Sequence, residues 1–352
     1  MGLGFPERRP FPGFLPPYVL RSIAEHGSPE QKEKARRGLV FDRAWRSARA
    51  TALPPSPVEH VAERGKKERT VYTARHTQSL PGSVVRTEGA SPTKDAAADE
   101  AYDYLGATYD FFWTAYARHS IDDQGLPLLA TVHFGTAYDN AFWNGQQMVF
   151  GDGDEDLFHR FTICVDVVGH ELTHGVTEHE AHLQYARQPG ALNESISDVF
   201  GSLIKQWTRK QTAAQADWLI GAGLFTKRVH GAALRSMKAP GTAYDDPVLG
   251  KDPQPDHWSR FVRTSEDNGG VHINSGIPNR AFYLAATGIG GFAWEKAGRI
   301  WYDTLRDARL RPGSGFKAFA KRTAANAERL YGKGGREHGA VLAAWGGVGL
   351  AV

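Results

Sequence analysis

The chain has 352 residues, enough for two or three domains, and 41% of them are hydrophobic, as in an ordinary globular protein. Its formal net charge of +3 excludes the strongly basic surface typical of proteins that bind nucleic acids or anionic membranes. The single cysteine, Cys164, excludes an intrachain disulfide bond, and no apolar run approaches the roughly 18 residues of a membrane span.

The front of the chain is more basic than the rest. Residues 1–69 contain 14 Lys and Arg against 8 Asp and Glu, a net charge of +6, so the remainder carries a net charge of −3. This segment is either a solvated arm or a segment that docks on the rest of the chain. Early charges and prolines in residues 1–20 do not fit a standard signal peptide, so we expect cytoplasmic synthesis, with secretion by a non-classical route as an option.

The predicted elements begin with helix. Ser28 is a typical N-cap residue and Pro29 suits a first helical turn, so residues 28–50 predict one helix or two short ones. A proline-broken, charged linker follows, and short β-prone runs begin at Arg69. Further along, the sequence predicts a long helix at residues 95–120 and two strands at residues 127–135 and 147–154. The remainder, residues 158–352, is predicted to be mainly helical.

Within the helical remainder, residues 165–178 contain the pattern H-E-x-x-H on an apolar-striped helix. His170 and His174 are four residues apart and therefore share one face, where two imidazoles can bind a single zinc ion. Glu171 lies about 100° further round the helix, where it can reach a metal-bound water and not the metal.

A catalytic zinc ion needs a third protein ligand and an open position. Residues 190–207 have helical apolar spacing and place Glu194 and Asp198 on one face. One carboxylate could bind zinc while the other holds a histidine ligand through its second ring nitrogen. The alternative is that both carboxylates belong to a solvated helix face.

Four segments of the chain resemble those of the thermolysin-like neutral zinc metallopeptidases. They read "VVGHELTHGVTE", "GALNESISDVFG", "DNGGVHINSGIPNRAFYLA" and "YDNAFWNGQQMVFGDGD". The resemblance runs from about Tyr72 to the C-terminus, and the N-terminal "PPYVL" is similar to the protealysin subgroup, which has a short propeptide. The resemblance implies an α+β fold. A propeptide would cover residues 1–50 (boundary 46–60), a β-rich N-terminal lobe residues 51–164 and a mainly helical C-terminal lobe residues 165–352.

The resemblance also implies a role for each matching residue. The zinc ligands, for one ion, would be His170, His174 and Glu194. Glu171 would be the general base, and Asp198 would be the partner of His170. His272 and Tyr185 would stabilise the oxyanion, and Asp267 would orient His272. Asn140, Ala141 and Arg235 would bind the substrate main chain. A pocket for a bulky apolar residue after the scissile bond would contain Phe158, Phe161, Val167, Ile220 and Leu234, although each of these could instead be ordinary core.

The family's double calcium site is predicted to be absent. Asp166 and Asp217 are present, but Lys205, Leu219 and Ala222 stand where the family has further acidic residues. A lysine ammonium beside two calcium ions would be repelled, so we expect Lys205 to pair with Asp166 instead.

The remaining ligand-type residues are interpreted as bystanders. Cys164 is expected to be a small core residue. His179 and His182 are expected to be solvated in a loop after the zinc helix, and Glu178 and Glu180 have no assigned role.

The sequence therefore predicts a zinc metalloendopeptidase made as a precursor that cleaves itself near residues 46–60. The expected partners are peptide or protein substrates, the chain's own propeptide and a proteinaceous inhibitor, with no nucleic acid or membrane, and we expect a monomer. One alternative is a zinc exopeptidase, which would need an acidic group for the substrate amine. Another is a non-catalytic zinc-binding protein, which would not need Glu171, Tyr185 or His272.

Overall fold

The computed structural model describes the backbone of residues 13–51 and 62–352, and the side chains of residues 13–42 and 62–352. The predicted processing region is residues 46–60. Its residues up to Thr51 continue a helix, and residues 52–60 lie outside the described residues. Among the described helices, none is both long and apolar enough to cross a membrane.

The N-terminal segment forms two helices, α1 (Pro17–His26) and α2 (Pro29–Thr51). The predicted N-cap at Ser28 is confirmed: Ser28 Oγ accepts from Gln31 N, and Gln31 Oε1 accepts from Ser28 N, at 3.2 and 2.8 Å. This reciprocal pair satisfies two amide groups that the helix start leaves without partners. Residues 28–51 therefore form one helix and not two.

This segment docks on the rest of the chain. Val19, Leu20 and Ile23 on α1 are buried within the main hydrophobic core. Further along, the ring of Phe41 on α2 packs against Phe134 of the sheet-containing lobe, with ring centroids 5.4 Å apart. Of the two interpretations of the basic front, docking is confirmed for residues 13–42 because most of the large apolar side chains of α1 and of the stretch before it are removed from water.

A five-stranded sheet forms the centre of the next lobe, in the order β2-β1-β3-β5-β4. Strands β1, β3 and β5 are parallel, whereas β2 and β4 pair antiparallel with their neighbours at the two edges. The elements are β1 (Arg69–Thr73), β2 (Ser83–Thr87), α3 (Ala96–Tyr116), β3 (Leu128–Val132), β4 (Ala141–Trp143) and β5 (Met148–Phe150). The edge position of β4 leaves one side of this strand available to a further chain.

The C-terminal lobe is mainly helical, as predicted, with two small strand pairs between α5 and α6. Its helices are α4 (Val165–Glu180), α5 (Arg187–Thr208), α6 (Asp267–Asn274), α7 (Gly276–Ile289), α8 (Ala297–Leu305), α9 (Phe316–Tyr331) and α10 (Arg336–Gly347). The strand pairs are β6 (Leu219–Ile220) with β7 (Arg235–Ser236), and β8 (Asp245–Asp246) with β9 (Gly250–Lys251).

Helices α4 and α5 approach each other closely because glycines lie at their contact. A Cβ atom on Gly201 would lie 2.5 Å from the carbonyl oxygen of Asp166, and one on Gly169 would lie 2.6 Å from Ile204 Cδ1. The backbone carbonyl excludes a larger residue at position 201, whereas a larger residue at position 169 would force the Ile204 side chain to move. This close approach places the histidines of α4 beside the carboxylates of α5.

Candidate active site

The predicted metal ligands meet between α4 and α5. His170 Nε2 and His174 Nε2 are 3.1 Å apart. The carboxylate of Glu194 lies 3.4 Å from His170 Nε2 and 3.5 Å from His174 Nε2. All three side chains are buried, and their ligand atoms form one group that could hold a metal ion. We call these three residues the histidine cluster.

The hydrogen bonds on the far side of the two rings fix which nitrogens face the cluster. His170 Nδ1 lies 2.8 Å from Asp198 Oδ1, and His174 Nδ1 lies 2.8 Å from Asn193 Oδ1. Both oxygens are acceptors, so each ring donates through Nδ1 and directs the lone pair of Nε2 into the cluster.

This donor set fits a zinc ion. Two imidazole lone pairs that face each other repel unless a cation lies between them, and Glu194 Oε2 makes no hydrogen bond within the described part of the chain. Burial alone would lower the pKa of His170, but Asp198 and Glu194 raise it to about 9, whereas burial lowers the pKa of His174 to about 4 and keeps that ring neutral. Two nitrogens and one carboxylate oxygen are the ligands of many catalytic zinc sites.

Glu171 reaches the same space and is held from the sheet. Its Oε2 accepts a 2.9 Å hydrogen bond from the backbone N–H of Trp143 in β4. Its Oε1 is buried and has no hydrogen-bond partner among the described residues. Burial is the main reason why the pKa of Glu171 rises to about 8. One oxygen is thus anchored by the sheet, and the other has no hydrogen-bond donor among the described residues.

Asp198 connects the histidine cluster to the opposite side of the cleft. Besides His170, its oxygens accept from Arg235 Nε and Nη2, at 2.8 and 2.7 Å, and from Asn279 Nδ2 at 2.8 Å. Burial raises the pKa of Asp198, but Arg235 and His170 together lower it to about 2. Asp198 therefore remains ionised and orients two predicted site residues at once.

The residues predicted to stabilise the oxyanion, Tyr185 and His272, lie next to Glu194. Tyr185 Oη donates to Glu194 Oε1 and lies 3.5 Å from His272 Nε2. His272 Nδ1 is 2.7 Å from Asp267 Oδ1, and its backbone N–H donates to Asp267 Oδ2 at 2.9 Å. Residues 267–270 all have positive φ, a backbone turn that brings the Asp267 carboxylate back onto His272.

The N-terminal segment occupies the cleft next to the histidine cluster. Phe14 N donates to the carbonyl of Ala141 at 2.8 Å, and Leu15 N donates to Asn140 Oδ1 at 2.8 Å. Asn140 Nδ2 in turn lies 3.4 Å from the carbonyl of Leu15. A Cβ atom at Gly13 would lie 2.5 Å from the Asn140 side chain, so a larger residue there would displace Asn140. Asn140 and Ala141 thus bind a peptide main chain, which is supplied here by the protein itself.

The side chain of Phe14 enters the cleft. Its ring centroid is 5.2 Å from that of His170, in an edge-to-face arrangement, and 4.6 Å from the Arg235 guanidinium carbon. A Cβ atom at Gly221 would lie 3.4 Å from Phe14 Cε1, so the Phe14 ring rests on the backbone there. Phe14 is 1% exposed, which shows that this pocket encloses a full aromatic side chain.

The five predicted pocket residues are fully buried in the same core as Phe14. They are Phe158, Phe161, Val167, Ile220 and Leu234. Ile220 ends β6 and Leu234 directly precedes β7, and Leu234 N donates to the carbonyl of Ile220 at 3.1 Å. Whether the side chains of all five residues touch a substrate stays a prediction.

A second polar cluster, formed by α4, α5 and the loop that follows α5, contains its own cation. Lys205 Nζ lies 2.9 Å from Asp166 Oδ2 and 2.9 Å from Asp217 Oδ1, and it also donates to the carbonyl of Leu219. The predicted pairing of Lys205 with Asp166 is confirmed. We call Asp166, Asp217 and Lys205 the lysine cluster.

The bystander residues follow the prediction with one correction. Cys164 is a buried residue at the start of α4, and burial raises the pKa of its thiol. The prediction that His179 lies in a loop is wrong, because α4 continues to Glu180 and includes it. Glu180 pairs with the buried Arg118, so this carboxylate has a structural contact.

Three contacts of the site were not predicted from the sequence. Asn193 and Asn279 orient His174 and Asp198, and Phe14 fills the cleft. The two asparagines lie inside the matching segments, yet nothing in their spacing distinguishes them from other polar helix residues. The available signal for Phe14 was the apolar "GFL" between prolines in an otherwise polar, basic segment.

The fold and the site together define a metal-dependent peptidase in precursor form, with a peptide-binding edge strand above a buried histidine cluster. The chain belongs to the thermolysin metallopeptidase family: residues 60–178 match the catalytic domain and residues 181–350 the alpha-helical domain. Residues 13–40 match the protealysin propeptide. The protein is accordingly a zinc metalloendopeptidase made as a precursor.

Similar proteins cover nearly the whole chain. An extracellular metalloprotease of Pectobacterium carotovorum subsp. carotovorum is 55% identical over 326 residues, which is 92% of this chain and 93% of the relative. Protease PrtS of a Photorhabdus species is 45% identical over 350 residues, 97% of this chain and 93% of the relative. The structure of the protealysin precursor from Serratia proteamaculans matches with a TM-score of 0.89 and 55% identity, over 96% of this chain and 99% of that one.

Proposed function

We propose that this peptidase hydrolyses internal peptide bonds that precede a bulky apolar residue, and that it removes its own N-terminal segment. The observation that carries the proposal is Phe14, which lies next to the metal cluster with its backbone hydrogen-bonded to β4. A substrate whose residue after the scissile bond is aromatic or a large aliphatic can bind in the same way. Burial of such a side chain in the pocket around Phe14 would contribute about 1.5–3 kcal/mol to binding for a residue the size of Leu or Phe.

His170, His174 and Glu194 would hold the zinc ion, with Asp198 and Asn193 fixing the two rings. When bound, zinc supplies Lewis acidity that acidifies a water and polarises the scissile carbonyl. The paired hydrogen bonds at Nδ1 support this assignment, because ligands held in this way bind metal about 10–100-fold better than ligands without such partners.

Glu171 is the general base in this proposal. Its Oε2 is anchored by Trp143, so Oε1 is held at a defined position in the cleft. From there it would take a proton from the attacking water and later pass it to the leaving nitrogen. General acid–base catalysis of this kind contributes about 10²–10⁴-fold to the rate.

His272 and Tyr185 would stabilise the oxyanion that forms in the transition state. Their polar atoms converge near Glu194, and Asp267 prevents the His272 ring from turning. A donor placed in advance at such a position is worth about 10²–10³-fold in rate. Asn140, Ala141 and Arg235 would bind the substrate main chain, as Asn140 and Ala141 do for residues 14 and 15 of this chain.

The N-terminal segment would inhibit the precursor until it is removed. It fills the peptide-binding edge and the Phe14 pocket together, so no substrate can bind at the same time. We assign the propeptide to residues 1–50, the sheet-containing lobe to 51–164 and the helical lobe to 165–352, with processing between residues 46 and 60. Two relatives are named extracellular metalloproteases, which supports export of this chain, and we propose that the route is non-classical.

The lysine cluster would replace the double calcium site of the family. Lys205 neutralises Asp166 and Asp217 in the place where calcium would otherwise do so. The working form would have one catalytic zinc ion and no calcium at this position. We also propose that it is a monomer. Its partners would be peptide or protein substrates, its own propeptide and a proteinaceous inhibitor.

The test is the digestion of casein and of a quenched peptide that is blocked at both ends. We expect cleavage before Phe or Leu, loss of activity with a zinc chelator, and recovery on adding zinc. The Glu171→Gln variant should retain zinc but neither digest casein nor shorten itself, whereas the matched Glu178→Gln control on the same helix should do both. Cleavage only at unblocked termini, or full activity in Glu171→Gln, would contradict the proposal.

A further inference from the structure

A second group of metal-ligand side chains lies at the carboxyl ends of the parallel strands. His133 directly follows β3, His76 follows β1, and Asp152 follows β5. Because parallel strands end at the same edge of a sheet, the three side chains meet there. We call them the strand-end cluster. It belongs to the sheet-containing lobe and shares no residue with the histidine cluster.

The geometry of the strand-end cluster is compact. His133 Nδ1 lies 2.9 and 3.0 Å from the two carboxylate oxygens of Asp152. His76 Nδ1 lies 3.3 Å from Asp152 Oδ2. The three ligand atoms are all within 4.8 Å of one another, a spacing that one ion could bridge.

The second nitrogen of His133 is supported in the same way as the ligands of the histidine cluster. His133 Nε2 lies 2.8 Å from Asp95 Oδ2. Asp95 is itself fixed as the N-cap of α3, where it accepts from Ala97 N and Ala98 N at 3.0 and 3.3 Å. A carboxylate on the far nitrogen orients a histidine and makes it a better metal ligand. His170 has the same arrangement with Asp198.

We propose that His76, His133 and Asp152 form a second metal site, which binds a borderline divalent transition ion such as Zn²⁺. Two imidazoles and one carboxylate favour Zn²⁺, Ni²⁺ or Cu²⁺ over Ca²⁺ and Mg²⁺, which prefer oxygen ligands. The His76 side chain is 61% exposed, so the site opens to solvent, and water can complete the coordination. Without an ion, His133 would bridge Asp95 and Asp152 as an imidazolium, and the metal would replace its Nδ1 proton.

Binding at this site would connect two loops that shape the cleft. His76 N donates to the carbonyl of His133 at 2.8 Å, and Gly135 N donates to the carbonyl of Thr77 at 2.9 Å. The loop after His133 continues to Asn140, which binds the N-terminal segment. The same loops line a cavity whose other wall is α2 of that segment. An ion would therefore stabilise this lobe directly beside the peptide-binding edge.

The test is the zinc content of the full-length chain at saturation. The Glu171→Gln background keeps the precursor intact, and zinc bound after equilibrium dialysis at pH 8 is measured by mass spectrometry of the metal. We expect two ions per chain in this parent and one in the additional His76→Asn variant, since asparagine tolerates the positive φ of 61° at this position. The matched control His159→Asn changes another histidine that pairs with a carboxylate, and it should retain two ions.

The melting temperature gives a second readout. It should rise when zinc exceeds one equivalent in the parent and in His159→Asn, but not in His76→Asn. One ion per chain at saturation in the parent, with the same zinc content in His76→Asn, would overturn the proposal. Two ions in His76→Asn would do the same, because the second ion would then bind elsewhere. If His76→Asn does not fold, His76→Gln is measured in its place.

Discussion

The histidine cluster and the lysine cluster both place carboxylates at the contact of α4 and α5, yet their buried negative charge is compensated differently: Asp166 and Lys205 are buried, whereas Asp217 lies in the loop after α5 with its side chain 32% exposed. In the lysine cluster an ammonium group of the chain lies 2.9 Å from each of two carboxylates. In the histidine cluster two ring nitrogens and a carboxylate face one another, and no lysine or arginine of the described residues is paired with Glu194. Buried charges are stable only when they are paired.

The comparison indicates which of two similar sites will take a metal. Asp166 and His170 are one turn apart on the same helix, so the two clusters do not differ in which helix carries them. The distinguishing feature is whether the chain supplies its own cation. A site that contains a lysine excludes calcium by repulsion, whereas a site of neutral and anionic ligands requires an ion.

The largest expected effect comes from removing a ligand of the histidine cluster. His174→Ala should lose zinc and at least about 10³-fold in peptidase activity, because the several kcal/mol that the metal contributes to the transition state are lost. The His179→Ala variant on the same helix is the control and should retain both. Activity against casein and zinc content in the same samples provide the measurement, and an active, zinc-free His174→Ala protein would end the comparison.

The next largest effect concerns the lysine cluster. Lys205→Met leaves the buried carboxylate of Asp166 without its cation, whereas the partly exposed Asp217 keeps Arg209 at 3.6 Å. The variant should lower the free energy of unfolding by about 3–5 kcal/mol, with zinc retained. Thermal unfolding of the zinc-loaded proteins measures this, with the exposed Lys210→Met as the control. An unchanged melting temperature would show that the ammonium does not stabilise the buried carboxylate of Asp166.

The pH dependence of this stabilisation has a definite sign. Burial alone would lower the pKa of Lys205, but Asp166 and Asp217 raise it above its usual value of 10.5. The contribution of Lys205 is therefore fully present below pH 10.5 and is lost as the pH rises through the raised pKa. The melting temperatures of wild type and Lys205→Met should differ at neutral pH and approach each other only in strong alkali.

A charge reversal sharpens the comparison further. Lys205→Glu restores an acidic residue beside Asp166 and Asp217, so the variant should be unstable in chelator and stabilised by calcium, by about 2.7 kcal/mol at 100 times the dissociation constant. Wild type and Lys205→Gln should show no calcium response. A calcium-dependent melting temperature in wild type would contradict the account of the lysine cluster.

The smallest of these effects is on zinc affinity. Asp198→Asn retains the shape of the hydrogen-bond partner of His170 but removes its charge, and zinc should bind about 10–100-fold more weakly. Competition with a chelator of known affinity measures the change. The matched Asp303→Asn variant, on α8 and outside the site, should bind zinc like wild type. Equal affinity in Asp198→Asn would mean that the charge of Asp198 serves Arg235 and not the metal site.

Some of this site was predictable because it depends on local geometry. His170 and His174 are one helical turn apart on one face, and the same is true of Glu194 and Asp198, so helix periodicity alone brings each pair together. The pairing of Lys205 with Asp166 was predictable from charge. The boundary of α4 was not, because helix ends depend on local caps and packing, and His179 was therefore misplaced in a loop.

Other parts of the site depend on contacts between distant segments, which no local pattern encodes. Phe14 is far from Ala141 in the sequence, and their hydrogen bond arises only when the N-terminal segment docks. The same is true of the strand-end cluster, whose members follow three strands that are not consecutive in the chain. Their proximity follows from the parallel arrangement of β1, β3 and β5, which the sequence analysis did not predict.

The central claim is that an ion occupies the histidine cluster and an ammonium group occupies the lysine cluster. The most direct test is anomalous diffraction, measured above and below the zinc absorption edge, from crystals of the full-length chain grown with zinc and calcium. We predict a zinc peak bounded by His170, His174 and Glu194, and no ion between Asp166 and Asp217. A calcium ion bound by these two aspartates, or no zinc peak at the histidines, would contradict the account.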